Sequence, residues 1–232
     1  MTNKKKLAER AQAEREARQR RNIQIIGGAI ILLIIVAVAW TMYSQNPAQQ
    51  PVACERFAEI PSAAQYDEPP LNIDVTKQYF ATVGMAKGGE FVIQLYPDKA
   101  PKTVNSFVFL ACKGYFDGLT FHRVLEGFMA QSGDPTGTGS GGPGYYFEYE
   151  GSDLAFDKAG IVAMANTGPA TPTNGSQFFI TFVPYPSLND GYTIFGQVID
   201  GMDVVNAITR RNPDENPGFA GDAMESVTIT EQ

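Results

Sequence analysis

The feature that most constrains this chain is a 21-residue run, Ile23–Tyr43, in which Ile25–Trp40 carries no polar side chain beyond the Trp40 indole. As a helix that run spans about 31 Å, the hydrocarbon thickness of a bilayer. A buried core helix is the competing account, but no other segment of the chain covers all its faces. Trp40 and Tyr43 fall at the far end, where amphipathic rings favour the membrane interface. In front of it, residues 1–22 carry Lys4, Lys5, Lys6, Arg10, Arg15, Arg18, Arg20 and Arg21 against three glutamates, a net charge of +5. Positive flanks stay cytoplasmic, so the sequence predicts the N-terminus inside and residues 44–232 outside the cytoplasm. The basic leader also suits acidic lipid or a cytoplasmic partner, although a solvated topogenic charge run explains it more simply.

A cleaved signal peptide is the second account of the run, with Ala37-Val38-Ala39 as its small-residue site. The length of the run and its extended basic leader favour a signal-anchor in the cell membrane. Cys54 follows the apolar run by more than ten residues, the wrong spacing for lipid attachment. Residues 44–72 are rich in Pro, Gln and Ala and show no periodic apolar face. They read as a linker that spans on the order of 30 Å if flexible. The expected organisation is a basic cytoplasmic segment (1–22), a transmembrane helix (23–43), this linker (44–72) and one folded domain (73–232).

Composition narrows what the domain can do. Residues 44–232 hold ten Lys/Arg against 22 Asp/Glu, a net charge of −12 that argues against nucleic acid as a partner. One histidine and two cysteines cannot build a zinc site of the usual kinds. A Ser-His-Asp or Cys-His enzyme would need to place everything on His122. No metal and no cofactor are expected.

From about residue 73 the pattern is β-rich. Phe80–Ala86 and Glu90–Tyr96 flank Gly88-Gly89, a hairpin signal. Short runs follow at Thr120–Val124, Phe128–Gln131, Tyr145–Glu148, Gly160–Ala165, Gln177–Phe182, Thr193–Ile199 and Ser226–Thr230. Val104, Phe107, Val108 and Ala111 carry a helical period, with Pro101 suited to the first turn and Gly114 to the stop. Met202, Val205 and Ile208 suggest a second helix ending before Pro213. Many short strands with two isolated helices predict a mainly β fold, a closed or nearly closed antiparallel barrel capped by helices.

Gly137, Gly139, Gly141, Gly142 and Gly144 form a dense glycine loop. No lysine lies between Lys113 and Lys158 and no helical period follows, so a phosphate-binding reading fails. A loop needing positive φ values is the better account. Two flanking segments are more specific. Phe121-His122-Arg123-Val124-Leu125-Glu126-Gly127-Phe128-Met129-Ala130-Gln131-Ser132-Gly133-Asp134 resembles the signature of the cyclophilin-type peptidyl-prolyl isomerases. So does Met164-Ala165-Asn166-Thr167-Gly168-Pro169, continuing through Asn174-Gly175-Ser176-Gln177-Phe178-Phe179-Ile180. Ala100–Phe107 and Phe195-Gly196-Gln197-Val198 fit the same family in the same order, and the likeness covers roughly residues 75–231. It implies an eight-stranded antiparallel barrel capped by two helices.

By resemblance, Arg123 carries the catalytic role, and Phe128, Met129, Phe179 and Leu188 receive the proline ring. Gln131 matches the side chain that hydrogen-bonds substrate and orients the arginine. Ala165, Asn166 and Gln177 match the groove for residues before the proline, with Asn166 acting through its backbone. His122 neighbours the arginine but is expected to point into the packing, since strand neighbours face opposite ways. The sequon Asn174-Gly175-Ser176 lies inside the motif and is read as coincidental. Two positions depart from the family. Ser187 stands where well-known eukaryotic members carry a tryptophan that contacts cyclosporin, and Tyr192 where they carry a histidine. A wall of the pocket is therefore missing or rebuilt, by Tyr185 or Tyr192.

The resemblance implies an isomerase of X–Pro bonds, and with the expected topology its substrates are unfolded or partly folded extracytoplasmic proteins. The alternative from another class is a membrane-tethered proline-binding chaperone or scaffold with little turnover. Both cysteines lie on the oxidising side of the expected topology, so an even count without metal-ligand spacing predicts a Cys54–Cys112 disulfide. The alternative is two independent thiols, one buried and one exposed.

Overall fold

Alternation of period two is plain in the first hairpin. Strand β1 (Tyr79–Met85) buries Tyr79, Ala81, Val83 and Met85, and β2 (Glu90–Leu95) buries Phe91, Ile93 and Leu95. They pair antiparallel across a turn in which Gly88 and Gly89 take φ values of 92° and 86°, as the hairpin signal requires. The computed structural model describes residues 52–55, 57 and 65–232. The basic segment 1–22, the apolar run 23–43 and much of 44–72 lie outside the described residues. Among the described residues, no helix is long and apolar enough to cross a membrane.

Six further strands are β3 (Arg123–Leu125), β4 (Met129–Ser132), β5 (Ile161–Met164), β6 (Phe178–Thr181), β7 (Ile194–Asp200) and β8 (Met224–Glu231). They form one antiparallel sheet in the order β3-β4-β6-β5-β7-β2-β1-β8. The sheet curls on itself, and the expected closed or nearly closed barrel is corrected to a half-barrel. Its edges β3 and β8 share no ladder and meet next to the isolated bridge Thr120↔Ala223. Phe121 N donates there to Asp222 O at 2.9 Å, and Met224 N to Leu119 O at 2.9 Å.

Tyr145–Glu148 is not a strand. Tyr145 and Phe147 are buried and their neighbours exposed, which mimics a strand in sequence. Instead of a sheet edge they cover a helix: the Tyr145 hydroxyl pairs with Ser106 Oγ at 2.7 Å, and Phe147 makes only an isolated bridge to Asn174. Asn174 is itself fully buried, its amide donating to Glu148 O and Thr193 Oγ1, in keeping with a coincidental sequon.

Among the described residues three α-helices accompany the sheet: α1 (Val52–Glu55), α2 (Pro101–Cys112) and α3 (Met202–Asn206). Helix α2 starts at Pro101 as expected. Ala100 cannot cap it, so Glu150 does so from a distant loop, accepting from Lys102 N at 3.0 Å and from Thr103 N at 2.8 Å. Phe107 reaches the interior, 5.3 Å from Phe195 and 4.9 Å from Phe116 between ring centroids. The expected single buried face is too narrow, because Thr103 through Ala111 are all buried. The second face, around Phe109, is covered by Phe57 and Tyr66 from the stretch expected to be linker, with ring centroids 5.4 and 5.0 Å away. The second expected helix, α3, stops at Asn206, short of Ile208, although Ile208 is buried.

Cys54 on α1 is bonded to Cys112, the last residue of α2, with Cα atoms 5.1 Å apart, as the topology argument expected. The sequence separation is 58 residues, and closing a loop of that size is worth about 4 kcal/mol in the chain-entropy account. The non-reduced protein should therefore show no alkylatable thiol by mass spectrometry and two after reduction. Its denaturant midpoint should fall on reduction; an unchanged midpoint would contradict the docked arrangement.

Candidate active site

The site grows from two parallel rows of side chains. Across β3, β4, β6 and β5 the register aligns Val124, Ala130, Ile180 and Val162, all buried in the interior. One residue along each strand, the register aligns Arg123, Gln131, Phe179 and Ala163. Successive residues of a strand face opposite ways, so this second row stands on the outer face. Phe179 and Ala163 of this row belong to a small separate core with Met129, Phe156, Ile161 and Ile194.

A cavity of about 140 Å³ opens on that row, lined by Arg123, Phe128, Met129, Gln131, Ala165, Asn166, Phe179, Leu188 and Tyr192. Every one of these was singled out from the sequence. Phe179 forms the floor, stacked on Phe156 at 5.9 Å and met edge-on by Tyr192 at 5.4 Å. Tyr192 thus supplies the rebuilt wall. Tyr185 packs on Phe128 with ring centroids 4.6 Å apart and planes tilted by 40°, outside the lining. Leu188 comes from a 3-10 turn, Pro186–Leu188, which also carries Ser187.

Arg123 lies at the edge of this cavity, its guanidinium 5.8 Å from the Phe128 ring centroid and Nη1 3.8 Å from Met129 Sδ. Gln131 does not turn toward it. The Gln131 amide donates to Gln177 Oε1 at 2.9 Å, so the arginine is held by the ring and the thioether instead. The Asn166 side chain is engaged locally, donating to Gly191 O and accepting from Gly168 N.

Gln177 belongs to a second cavity of about 290 Å³ that shares Gln131, Ala165 and Asn166 with the first. Its far wall is the glycine loop, and Tyr146, Thr167 and Thr173 complete it. None of its lining residues is charged. The loop's glycines have two separate causes. Gly144 takes a φ of 105°, whereas Gly141 has an ordinary φ and no room, since a Cβ would lie 2.1 Å from Asp134 Oδ1. Asp134 is buried and organises the loop, accepting from Thr136 N at 2.7 Å and from Gly139 N at 2.5 Å. Burial opposes its charge, but these hydroxyl and amide donors outweigh it and hold the carboxyl below its usual range. Phe156, Tyr146 and the loop wall were missed as site residues. Phe156 carries no motif, and the glycines were read as backbone only.

His122 points inward, 2 % exposed, as expected for a packing residue. Burial is the main cause that lowers its pKa from 6.5; Asp134 and the nearby Thr120 carbonyl oppose the shift, and Arg211 adds to it. Neither ring nitrogen makes a well-formed hydrogen bond among the described residues.

The geometry is that of a known family. The family "Cyclophilin type peptidyl-prolyl cis-trans isomerase/CLD" matches residues 79–231. Peptidyl-prolyl cis-trans isomerase A of Mycobacterium tuberculosis is 48% identical over 161 residues, covering 61% of this chain and 87% of that protein. Peptidyl-prolyl cis-trans isomerase-like 1 of Mus musculus is 51% identical over 124 residues, covering 52% and 74%. A crystal structure of a Cryptosporidium parvum cyclophilin type peptidyl-prolyl cis-trans isomerase superposes with a TM-score of 0.59 at 34% identity, covering 66% of this chain and 97% of that one. The same enzyme was crystallised in the presence of the dipeptide ala-pro, and that structure gives a TM-score of 0.57 at 32% identity, covering 65% and 98%. The chain belongs to the cyclophilin-type peptidyl-prolyl cis-trans isomerase family, and its domain is an enzyme of that class.

His122 gives a clean pH test, because it is the one histidine in the chain. Its folded pKa lies below the unfolded 6.5, so below pH 6.5 the unfolded chain binds more protons. Stability is full above that pH and declines as pH falls from 6.5 toward the lowered folded value. The denaturant midpoint should drop between pH 7.5 and 5.5, and His122→Leu should flatten that slope. An equal slope in both proteins would show that the imidazole is not held neutral.

Proposed function

We propose that the domain isomerises X–Pro bonds by letting Arg123 stabilise the twisted prolyl amide. Rotation about an X–Pro bond breaks amide conjugation against a barrier of about 18–20 kcal/mol. No bond to the enzyme is made, so the reaction needs no nucleophile, metal or cofactor. In the twisted state the prolyl nitrogen becomes pyramidal and gains a lone pair. A fixed cationic donor there favours the transition state over the planar ground state.

The observation that carries this reading is one charged side chain, Arg123, at the edge of an otherwise uncharged lining. Phe128, Met129, Phe179 and Leu188 offer the apolar surface a pyrrolidine ring needs. Arginine's planar fork also suits holding the prolyl carbonyl, which lysine does poorly. Gln131, Ala165 and Asn166 line both cavities, and with Gln177 in the second they offer a groove for residues preceding the proline. The dipeptide used with the Cryptosporidium parvum enzyme is of the same chemical kind.

The clients proposed are unfolded or partly folded proteins outside the cytoplasm, with the domain tethered at the cell membrane through residues 23–43. The apolar run and the basic leader support this placement. Protease added outside, once any outer barrier is opened, should digest the domain of the full-length protein; protection would show the reverse orientation.

Arg123→Ala should lower turnover by roughly 10²–10³, the scale for losing one preorganised transition-state donor. Peptide affinity should change far less. A coupled proteolysis assay on an X–Pro peptide reads the rate. Retention of most of the activity would overturn the assigned mechanism, and a wild-type chain that binds the peptide without turnover would favour the tethered binding module.

A further inference from the structure

The glycine wall of the second cavity is held from both sides. On the groove side, Gln177 Nε2 donates to Gly139 O at 3.1 Å and to Gly141 O at 2.9 Å, while Gln177 Oε1 accepts from Gln131. On the far side the partners come from residues that precede the first strand. Gln65 Nε2 donates to Gly142 O at 3.2 Å, and Tyr66 N donates to Pro143 O at 2.7 Å. The contact is close: a Cβ on Gly144 would lie 2.7 Å from Tyr66 O.

Those residues are in turn fixed to α2. The Tyr66 ring packs edge-on against Phe109 at 5.0 Å, and Phe57 packs on the same Phe109 at 5.4 Å. Lys113 Nζ donates to the Phe57 carbonyl, and Cys54 is bonded to Cys112. Phe109, Cys112 and Lys113 thus anchor Cys54, Phe57 and Tyr66 at one end of α2, and Gln65 and Tyr66 reach the groove wall at Gly142 and Pro143. A glycine-dense loop has little stiffness of its own, so its position depends on what binds it.

We propose that Cys54, Phe57, Gln65 and Tyr66, docked together on α2, act as a positioning strap for this wall, so that the redox state of Cys54–Cys112 sets the groove's affinity for peptide. The inference rests on the reading of the two cavities as the peptide groove. A dithiol opens the lock by exchange: the Cys54–Cys112 bond takes up two electrons and two protons to give two thiols, and the reductant leaves as its own disulfide. Gln65 and Tyr66 then hold the wall less firmly. Arg123, on β3 with its ring and thioether contacts, is left in place.

The test uses the full-length chain and an X–Pro peptide followed by protease-free NMR exchange. Reduction should raise KM about three- to tenfold, the scale of one or two net hydrogen bonds, and reoxidation should restore it. Turnover at saturating peptide should stay within about twofold, the pattern of lost ground-state binding. The Cys54→Ser/Cys112→Ser variant should show the raised KM and no response to dithiol. Gln65→Ala, which removes an exposed amide and leaves the core intact, should raise KM in the oxidised chain. It also decides the matter if the double variant does not fold. Amide exchange should quicken at Gly139–Gly142 and not in β5 or β6. An active wild-type chain whose KM ignores both reduction and Gln65→Ala overturns the strap. A wild-type chain without isomerase activity overturns the groove reading, and the strap with it.

Discussion

The registry of β3, β4, β6 and β5 is the constraint from which the site follows. One row of the pairing, Val124–Ala130–Ile180–Val162, fills the interior, and the adjacent row, Arg123–Gln131–Phe179–Ala163, faces outward. A slip of one residue would exchange the rows, burying a guanidinium in the core and exposing valine and isoleucine. Burying that unpaired charge costs far more than any single contact in the pocket contributes. The same apolar interior that stabilises the sheet therefore fixes where the cation stands. His122 is the counterpart: next to Arg123 in sequence, it falls on the inner face, where burial lowers its pKa.

A second constraint comes from α2. Its FVFLAC segment is apolar on both sides, so the helix needs a cover on the face turned away from the sheet. Phe57, Tyr66 and the disulfide provide it. The cover brings Phe57 and Tyr66 into the domain, and Gln65 and Tyr66 also reach the glycine loop. Stability of the helix and the shape of the groove thus draw on the same few residues.

Much of this was legible in the sequence. Gly88-Gly89 marked the first hairpin, Pro101 and the Val104/Phe107/Val108/Ala111 period marked α2, and the two long motifs held seven of the nine residues that line the first cavity, with Leu188 and Tyr192 placed by counting on from the second. What was not legible depended on partners remote in sequence. Tyr145 and Phe147 alternate like a strand but are buried on a helix. The half-barrel's edges meet beside the isolated bridge Thr120↔Ala223, a pairing that no local pattern announces. Phe57 and Tyr66 sit singly in a Pro- and Ala-rich stretch, where no period can reveal a docking face. Gly141 is set by a close approach to Asp134, which no backbone preference encodes. Gln131 turns to Gln177 rather than Arg123, a choice between two neighbours that pattern alone leaves open. The segments read as basic leader and membrane anchor lie outside the described residues.

The central claim is that a fixed planar cation at the edge of an apolar pocket favours the twisted amide over either planar isomer. Arg123→Lys tests it most directly, because charge is retained while the fork and its seat on Phe128 and Met129 are lost. The measurement is the on-enzyme cis–trans exchange rate of a saturating X–Pro peptide by NMR, alongside the peptide's Kd. The account predicts an exchange rate at least tenfold slower, about 1.4 kcal/mol of lost transition-state stabilisation, with Kd little changed. An exchange rate that survives the substitution while Kd weakens would contradict it, and would assign Arg123 to binding alone.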